Sequence, residues 1–215
     1  VLAPATLDEA ALAAVTLEHA HYRLAFRDIA RNTDERSMIS VMVPPNIVAG
    51  HTIALHHPVT DVMIDGVHQE VETLSGAELL YVCALFNSFV VDWMLRQRIS
   101  AHVSMFYVYQ LPMPRLTAKD AAFAPIVERA AKLTCTTAAF DDLARAVGLR
   151  GHRDGVTDAE ARLRLRAELD GLVAHLYGLT EEEFQHVLQS FPVVPEAQRV
   201  AAHNAYRDLA RRGRA

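Results

Sequence analysis

Arg23, Arg27, Arg31 and Arg36 recur at steps of four or five residues and enclose a polar run, Arg31-Asn32-Thr33-Asp34-Glu35-Arg36. Guanidinium forks match guanine edges and phosphates, and the carboxamide of Asn32 matches adenine, so this set suits nucleic-acid contact, with Thr33 as a further polar candidate. Asp28, Asp34 and Glu35 lie among the arginines and permit a plainer reading, a solvated hairpin whose charges cancel. A second set begins at Arg96 and Arg98 and continues through His102, Ser104, Phe106, Tyr107 and Tyr109. As an extended strand this stretch places Ser104 and Phe106 on one face and Tyr107 and Tyr109 on the other. Most of its rings are then expected in the core, with Tyr107 the candidate to meet a base. Asn87 and Ser88 fall inside an apolar run, where an unpaired polar group costs on the order of 1–3 kcal/mol. A buried hydrogen bond that fixes a helix to a loop is the expected role of that pair.

Other chemistries lack their residues. His51, His56, His57 and His68 have neither the helical pairing nor the cysteine partners typical of zinc sites. A metal-dependent nuclease core with Asp/Glu-x-Lys spacing is missing, because Thr117-Ala118-Lys119 and Ala130-Ala131-Lys132 carry no carboxylate. No Gly-x-Ser-x-Gly elbow and no phosphate-binding loop occurs. Catalysis and cofactor binding are therefore not expected of this chain.

The elements that must position the two arginine sets follow from patterning. Apolar residues recur at short spacing over Tyr22–Ala30 and Ser37–Val43, which predicts two paired strands, the second stopped by Pro44-Pro45. Ile47–Leu55 and Val62–Val71 are further short strands, the latter marked by Asp65-Gly66. Ser75 and Glu78 stand at capping-box spacing and open a helix expected from Gly76 to Arg98, apolar nearly all round. Val103–Leu111 is rich in β-branched and aromatic residues and predicts a strand leading into Pro112-Met113-Pro114. Residues 7–20 carry a loose helical stripe. Beyond the linker, helices are expected over Ala122–Leu133, Thr137–Val147, Thr157–Tyr177, Thr180–Ser190 and Pro195–Arg212, with Arg150–Gly155 as a flexible loop. The expected class is α+β: a mixed domain over 1–116, with short strands around a long buried helix, then a helical region over 117–215.

Composition bounds the partners. The net charge of −5 argues against nonspecific coating of nucleic acid, which depends on Lys and Arg neutralising phosphate, yet leaves room for a local basic face. Lys119 and Lys132 are the only lysines, so positive charge is almost wholly arginine, the residue suited to bidentate contact. Cys83 and Cys135 sit among apolar residues, which predicts buried free thiols and a reducing, cytoplasmic setting. The apolar stretch Leu79–Leu95 is interrupted by Asn87, Ser88 and Asp92 and falls short of the roughly 20 residues of a membrane span. No secretory leader is recognisable, and Val1 in place of Met suggests a piece of a larger protein.

Three segments together resemble the C-terminal target-recognition region of bacterial adenine-specific DNA methyltransferases, of the fused restriction-modification and phage-defence types, including the TaqI-like specificity domain. They are Arg23 to Ile39; Leu85-Phe86-Asn87-Ser88-Phe89-Val90-Val91-Asp92-Trp93-Met94-Leu95-Arg96 with its continuation to Leu111-Pro112-Met113-Pro114; and Glu168 to Phe184. The resemblance implies a module that docks on double-stranded DNA beside a methyltransferase domain, reads a short asymmetric site and helps position an adenine. It implies S-adenosylmethionine as the cofactor of the whole enzyme, not of this chain. Adenine methylation needs Asp or Asn, two prolines and an aromatic residue. Here Val43-Pro44-Pro45-Asn46 lacks both the polar group and the ring, and the nine glycines are scattered. A protein-interaction scaffold that docks a partner subunit or catalytic domain is the alternative.

Overall fold

In the computed structural model, which describes residues 17–65 and 67–212, strand β1 (Arg23–Arg27) lies between β2 (Ser40–Val43) and β3 (Ile53–Leu55), antiparallel to both. The register pairs Arg23 with Val43 and Ala25 with Val41 on one side, and Ala25 with Leu55 on the other. Leu24 and Phe26 alternate onto the face that packs on the first helix, and Phe26 meets Phe86 edge-on at 6.3 Å. β2 ends at Pro44-Pro45 as its sequence predicts. The strand expected over Ile47–Leu55 shrinks to Ile53–Leu55, because Asn46 turns the chain at φ 67° and the buried Arg23 guanidinium holds the Ile47 carbonyl. A separate hairpin joins β4 (Val59–Ile64) to β5 (Val67–Glu72) across Asp65-Gly66, with Asp65 at φ 52° as a tight two-residue turn requires. The helical stripe expected over residues 7–20 lies mostly outside the described residues; Glu18–Ala20 form a single 3-10 turn.

The helix expected from Gly76 to Arg98 is two helices, α1 (Gly76–Phe86) and α2 (Phe89–Arg96), bent by 62°. The capping box is present, with Glu78 reaching back to the Ser75 amide at 2.8 Å. The break comes at Ser88, which takes an extended conformation, accepts from Val91 N at 3.2 Å and so starts a second helix. The strand expected over Val103–Leu111 is also absent. Ser104 caps a single helical turn, α3 (Met105–Val108), by accepting from Phe106 N at 3.2 Å.

The last third is helical as expected: α4 (Phe123–Thr134), α5 (Asp141–Ala146), α6 (Ala159–Leu176), α7 (Glu181–Gln189) and α8 (Glu196–Arg212). Thr180 and Glu183 form the second capping box. α6 lies close against α8 because Gly171 has no side chain; a Cβ there would stand 2.8 Å from Tyr206 N. Arg150–Gly155, expected to be a flexible loop, is pinned instead: Arg150 pairs with Asp154 at 2.6 Å, and His152 N donates to Asp141 Oδ1 at 2.7 Å. One hydrophobic cluster runs from Leu24 and Met42 through Leu80, Leu95 and Ile126 to Val173 and Phe184, so residues on both sides of the 116/117 boundary share a core. Cys83 and Cys135 are buried free thiols, and burial pushes each up to about 11. Among the described residues no single helix is long and apolar enough to cross a membrane, although the bent α1–α2 pair is apolar enough over its joint length.

Candidate nucleic-acid interface

Asp92, on α2 and fully buried, organises the connection between β1 and β2. Its carboxylate accepts from Ser37 N at 3.0 and 3.2 Å and pairs with Arg36 Nε at 2.8 Å and Arg96 Nε at 3.4 Å. Arg96 continues outward, donating to the carbonyls of Asp34 at 3.2 Å and Ser190 at 3.3 Å, with its guanidinium 3.8 Å above the Phe191 ring. Arg36 donates to the Asn87 carbonyl at 2.6 Å and lies 4.4 Å over Phe89. Burial pulls the Arg96 guanidinium below its ordinary value, and the adjacent Asp92 opposes that shift. Pairing of this kind adds little net stability over an apolar core, but it fixes geometry, because breaking it strands a buried charge.

The geometry it fixes is that of the turn. Asp34 Oδ2 accepts from Arg31 N at 3.1 Å and pairs with Arg27 at 3.3 Å, and Ser37 Oγ donates to the Arg31 carbonyl at 2.9 Å. Arg31, Asn32 and Thr33 are left at the exposed tip, their side chains without internal partners among the described residues. The segment after α2 lies alongside: Val103 N donates to Asp28 O at 2.7 Å, Ala30 N to Ala101 O at 3.2 Å, and His102 pairs with Asp28 at 3.1 Å. Arg98 is exposed there and also unpaired among the described residues.

The nine candidate residues thus divide. Arg31, Asn32, Thr33 and Arg98 are exposed, on two segments whose neighbouring residues 28–30 and 101–103 are joined by backbone hydrogen bonds. Arg27 is half-exposed and bound to Asp34. Arg23 and Arg96 are buried, and Arg36 lies over Phe89 and donates to Asp92 and the Asn87 carbonyl, so these three guanidinium groups are engaged within the fold. Tyr107 is half-buried against the core. Helical rather than extended geometry in α3 turns Phe106 and Tyr109 outward instead, 67% and 79% exposed. A sequence signal for this region was available: between Asp92 and Asp120 no acidic residue occurs, whereas Arg96, Arg98, Arg115 and Lys119 do.

Asn87, expected inside a helix with a buried bond to a loop, is an exposed helix C-cap that bonds a strand edge instead. Its carboxamide accepts from Ser40 N at 3.1 Å and donates to Ser40 O at 3.0 Å, closing the outer edge of β2 as a neighbouring strand would. Beside that edge, between β2, α4, α6 and α8, lies a cleft of about 680 Å3. Arg36, Arg162 and Arg166 reach it, and Asp170 lies at its floor, accepting from Phe89 N at 2.9 Å. Burial raises the Asp170 carboxyl to about 6, against the lowering influence of Arg36 and of that amide.

Among the described residues no group of three or more His, Cys, Asp or Glu is placed to hold a metal ion. His56 bonds Thr73 at 2.6 Å and His57 pairs with Glu18 at 2.7 Å, while the side chain of His68 lies outside the described residues. No protein-family model, no curated protein and no solved structure matches this chain.

Proposed function

We propose that this chain is the sequence-reading module of an adenine-specific DNA methyltransferase of the restriction-modification or phage-defence kind, acting on double-stranded DNA without performing the chemistry. The observation that carries the reading is the Asp92 cluster, which holds a turn in place while the side chains of its exposed tip, Arg31-Asn32-Thr33, stay without partners among the described residues. Cations and a carboxamide on a fixed support are what phosphate and base-edge contact require, and rigidity lowers the entropy cost of binding. The helical region is the part expected to brace a separate methyltransferase domain, where S-adenosylmethionine would bind. A second reading, a scaffold that docks a partner subunit or that domain, draws support from the cleft and from the exposed Ile39 and Val41 on its rim.

Fluorescence anisotropy of this chain on duplex DNA, titrated at several salt concentrations, tests the first reading. Binding should weaken as salt rises, and Arg31→Ala and Arg98→Ala should each lower the slope of log affinity against log salt by about 1. Binding selection from a randomised duplex library should enrich a short asymmetric motif. Salt-insensitive binding, or none at all, would reject the reading and leave the scaffold.

A further inference from the structure

We propose that Phe106 and Tyr109 form a base-contacting wedge that stacks on the bases of a DNA step opened on binding. This rests on the DNA-reading assignment above and extends it from phosphate contact to the bases. Phe106 and Tyr109 are both largely exposed, and the turn that carries them is preorganised. Ser104 O accepts from Tyr107 N at 2.9 Å and from Val108 N at 3.2 Å, Met105 O accepts from Tyr109 N at 2.9 Å, and Gln110 Nε2 donates to Phe106 O at 3.0 Å. Val103 and Leu111, both buried, anchor the two ends of the turn. Tyr107 packs on the core and meets Phe106 edge-on, with centroids 5.4 Å apart, so the outer ring has a rigid support.

Charge distinguishes DNA from an apolar protein partner as the occupant. The whole stretch between Asp92 and Asp120 lacks acidic residues in a chain of net charge −5, and backbone hydrogen bonds tie it to the turn that carries Arg31. Phosphates can meet Arg31 and Arg98 while two flat rings one helical turn apart meet bases, the combination that sequence-tolerant stacking surfaces use. Gln110, exposed at the next position, adds a carboxamide beside the rings.

The test uses this chain with two fluorescent duplexes of one sequence, one fully paired and one with a central mismatch that makes opening easier, and with a third carrying 2-aminopurine. Wild type should prefer the mismatched duplex and raise 2-aminopurine emission. Phe106→Ala should weaken binding by about 5- to 150-fold, the range for one lost base–aromatic stack. It should also abolish the mismatch preference and the emission rise, and leave the salt slope unchanged because no phosphate contact is lost. Phe106→Trp should retain both signals. If Phe106→Ala and Tyr109→Ala bind with wild-type affinity and preference while Arg31→Ala still lowers the salt slope, the wedge is wrong and the DNA-reading assignment stands. If wild type shows no salt-dependent binding, both fail together. Both rings are exposed, so thermal melts of the alanine variants should match wild type.

Discussion

Two connections between antiparallel strands in this molecule are built in opposite ways. The β4–β5 hairpin closes through two residues and is held by its own ladder of six cross-strand pairs, and none of its described residues belongs to the hydrophobic core. The β1–β2 connection runs over twelve residues, from Asp28 to Ile39, and is shaped by side chains, above all by Asp92 on a helix more than fifty positions away. Charge divides the same way: the hairpin carries Asp61, Asp65, Glu70 and Glu72 with no Lys or Arg, whereas the longer connection and its strand carry Arg23, Arg27, Arg31 and Arg36. A short hairpin is specified by local backbone preference, while a long loop must draw its order from the tertiary structure. The connection that needs tertiary support is also the one that carries the exposed Arg31-Asn32-Thr33 tip.

The contrast breaks most sharply at Asp92. Asp92→Ala leaves Arg36 and Arg96 without their common carboxylate and should cost about 3–5 kcal/mol in urea unfolding. A loss under 1 kcal/mol would mean that the turn holds itself, as the hairpin does.

Asp170, which anchors the start of the helix bearing Asp92, gives the next effect, and its sign depends on pH. Its folded pKa of about 6 lies above the ordinary carboxylate value, so the folded chain keeps a proton that the unfolded chain has released. Stability from this group is therefore highest below about pH 4, falls as pH rises toward about 6, and is fully lost above that. Asp170→Asn keeps an acceptor for Phe89 N and removes the charge. It should gain on the order of 2–3 kcal/mol at pH 7.5 and almost nothing at pH 4, read from paired denaturation curves. Equal effects at the two pH values would contradict the assignment.

The smallest effect belongs to the hairpin. Met63→Ser with Ile64→Ser, both exposed, should change stability by no more than about 0.5 kcal/mol, and DNA affinity not at all, in the assays applied to the arginine variants. A larger loss would show that the hairpin packs on something that matters to the fold.

Local signals in the sequence predicted local structure well. The two capping boxes, the proline stop after β2 and the amphipathic helices from Phe123 onward stand where the residues place them. The errors cluster where a side chain serves a distant partner. Hydropathy reads Leu79–Leu95 as one helix, but Asn87 bonds the edge of β2 and Ser88 caps a new helix, a division that depends on β2 being there. Aromatic and β-branched content reads Val103–Leu111 as a strand, but a capping serine and the fit of Tyr107 and Val108 to the core favour one helical turn. That difference separates Tyr107, which packs on the core, from Tyr109, which a strand would place on the same face and which is exposed with Phe106.

The arginine sets follow the same division. The sequence by itself determined that arginines stand at short spacing over residues 23–36 and again at 96 and 98 in a chain of net charge −5, and that acidic residues stand close enough to some of them to compete. Only the tertiary structure decided which arginines are internal. A guanidinium looks the same in sequence whether it meets solvent or a buried carboxylate, and Asp92, which separates the two outcomes, is brought to Arg36 by the packing of a helix against a loop.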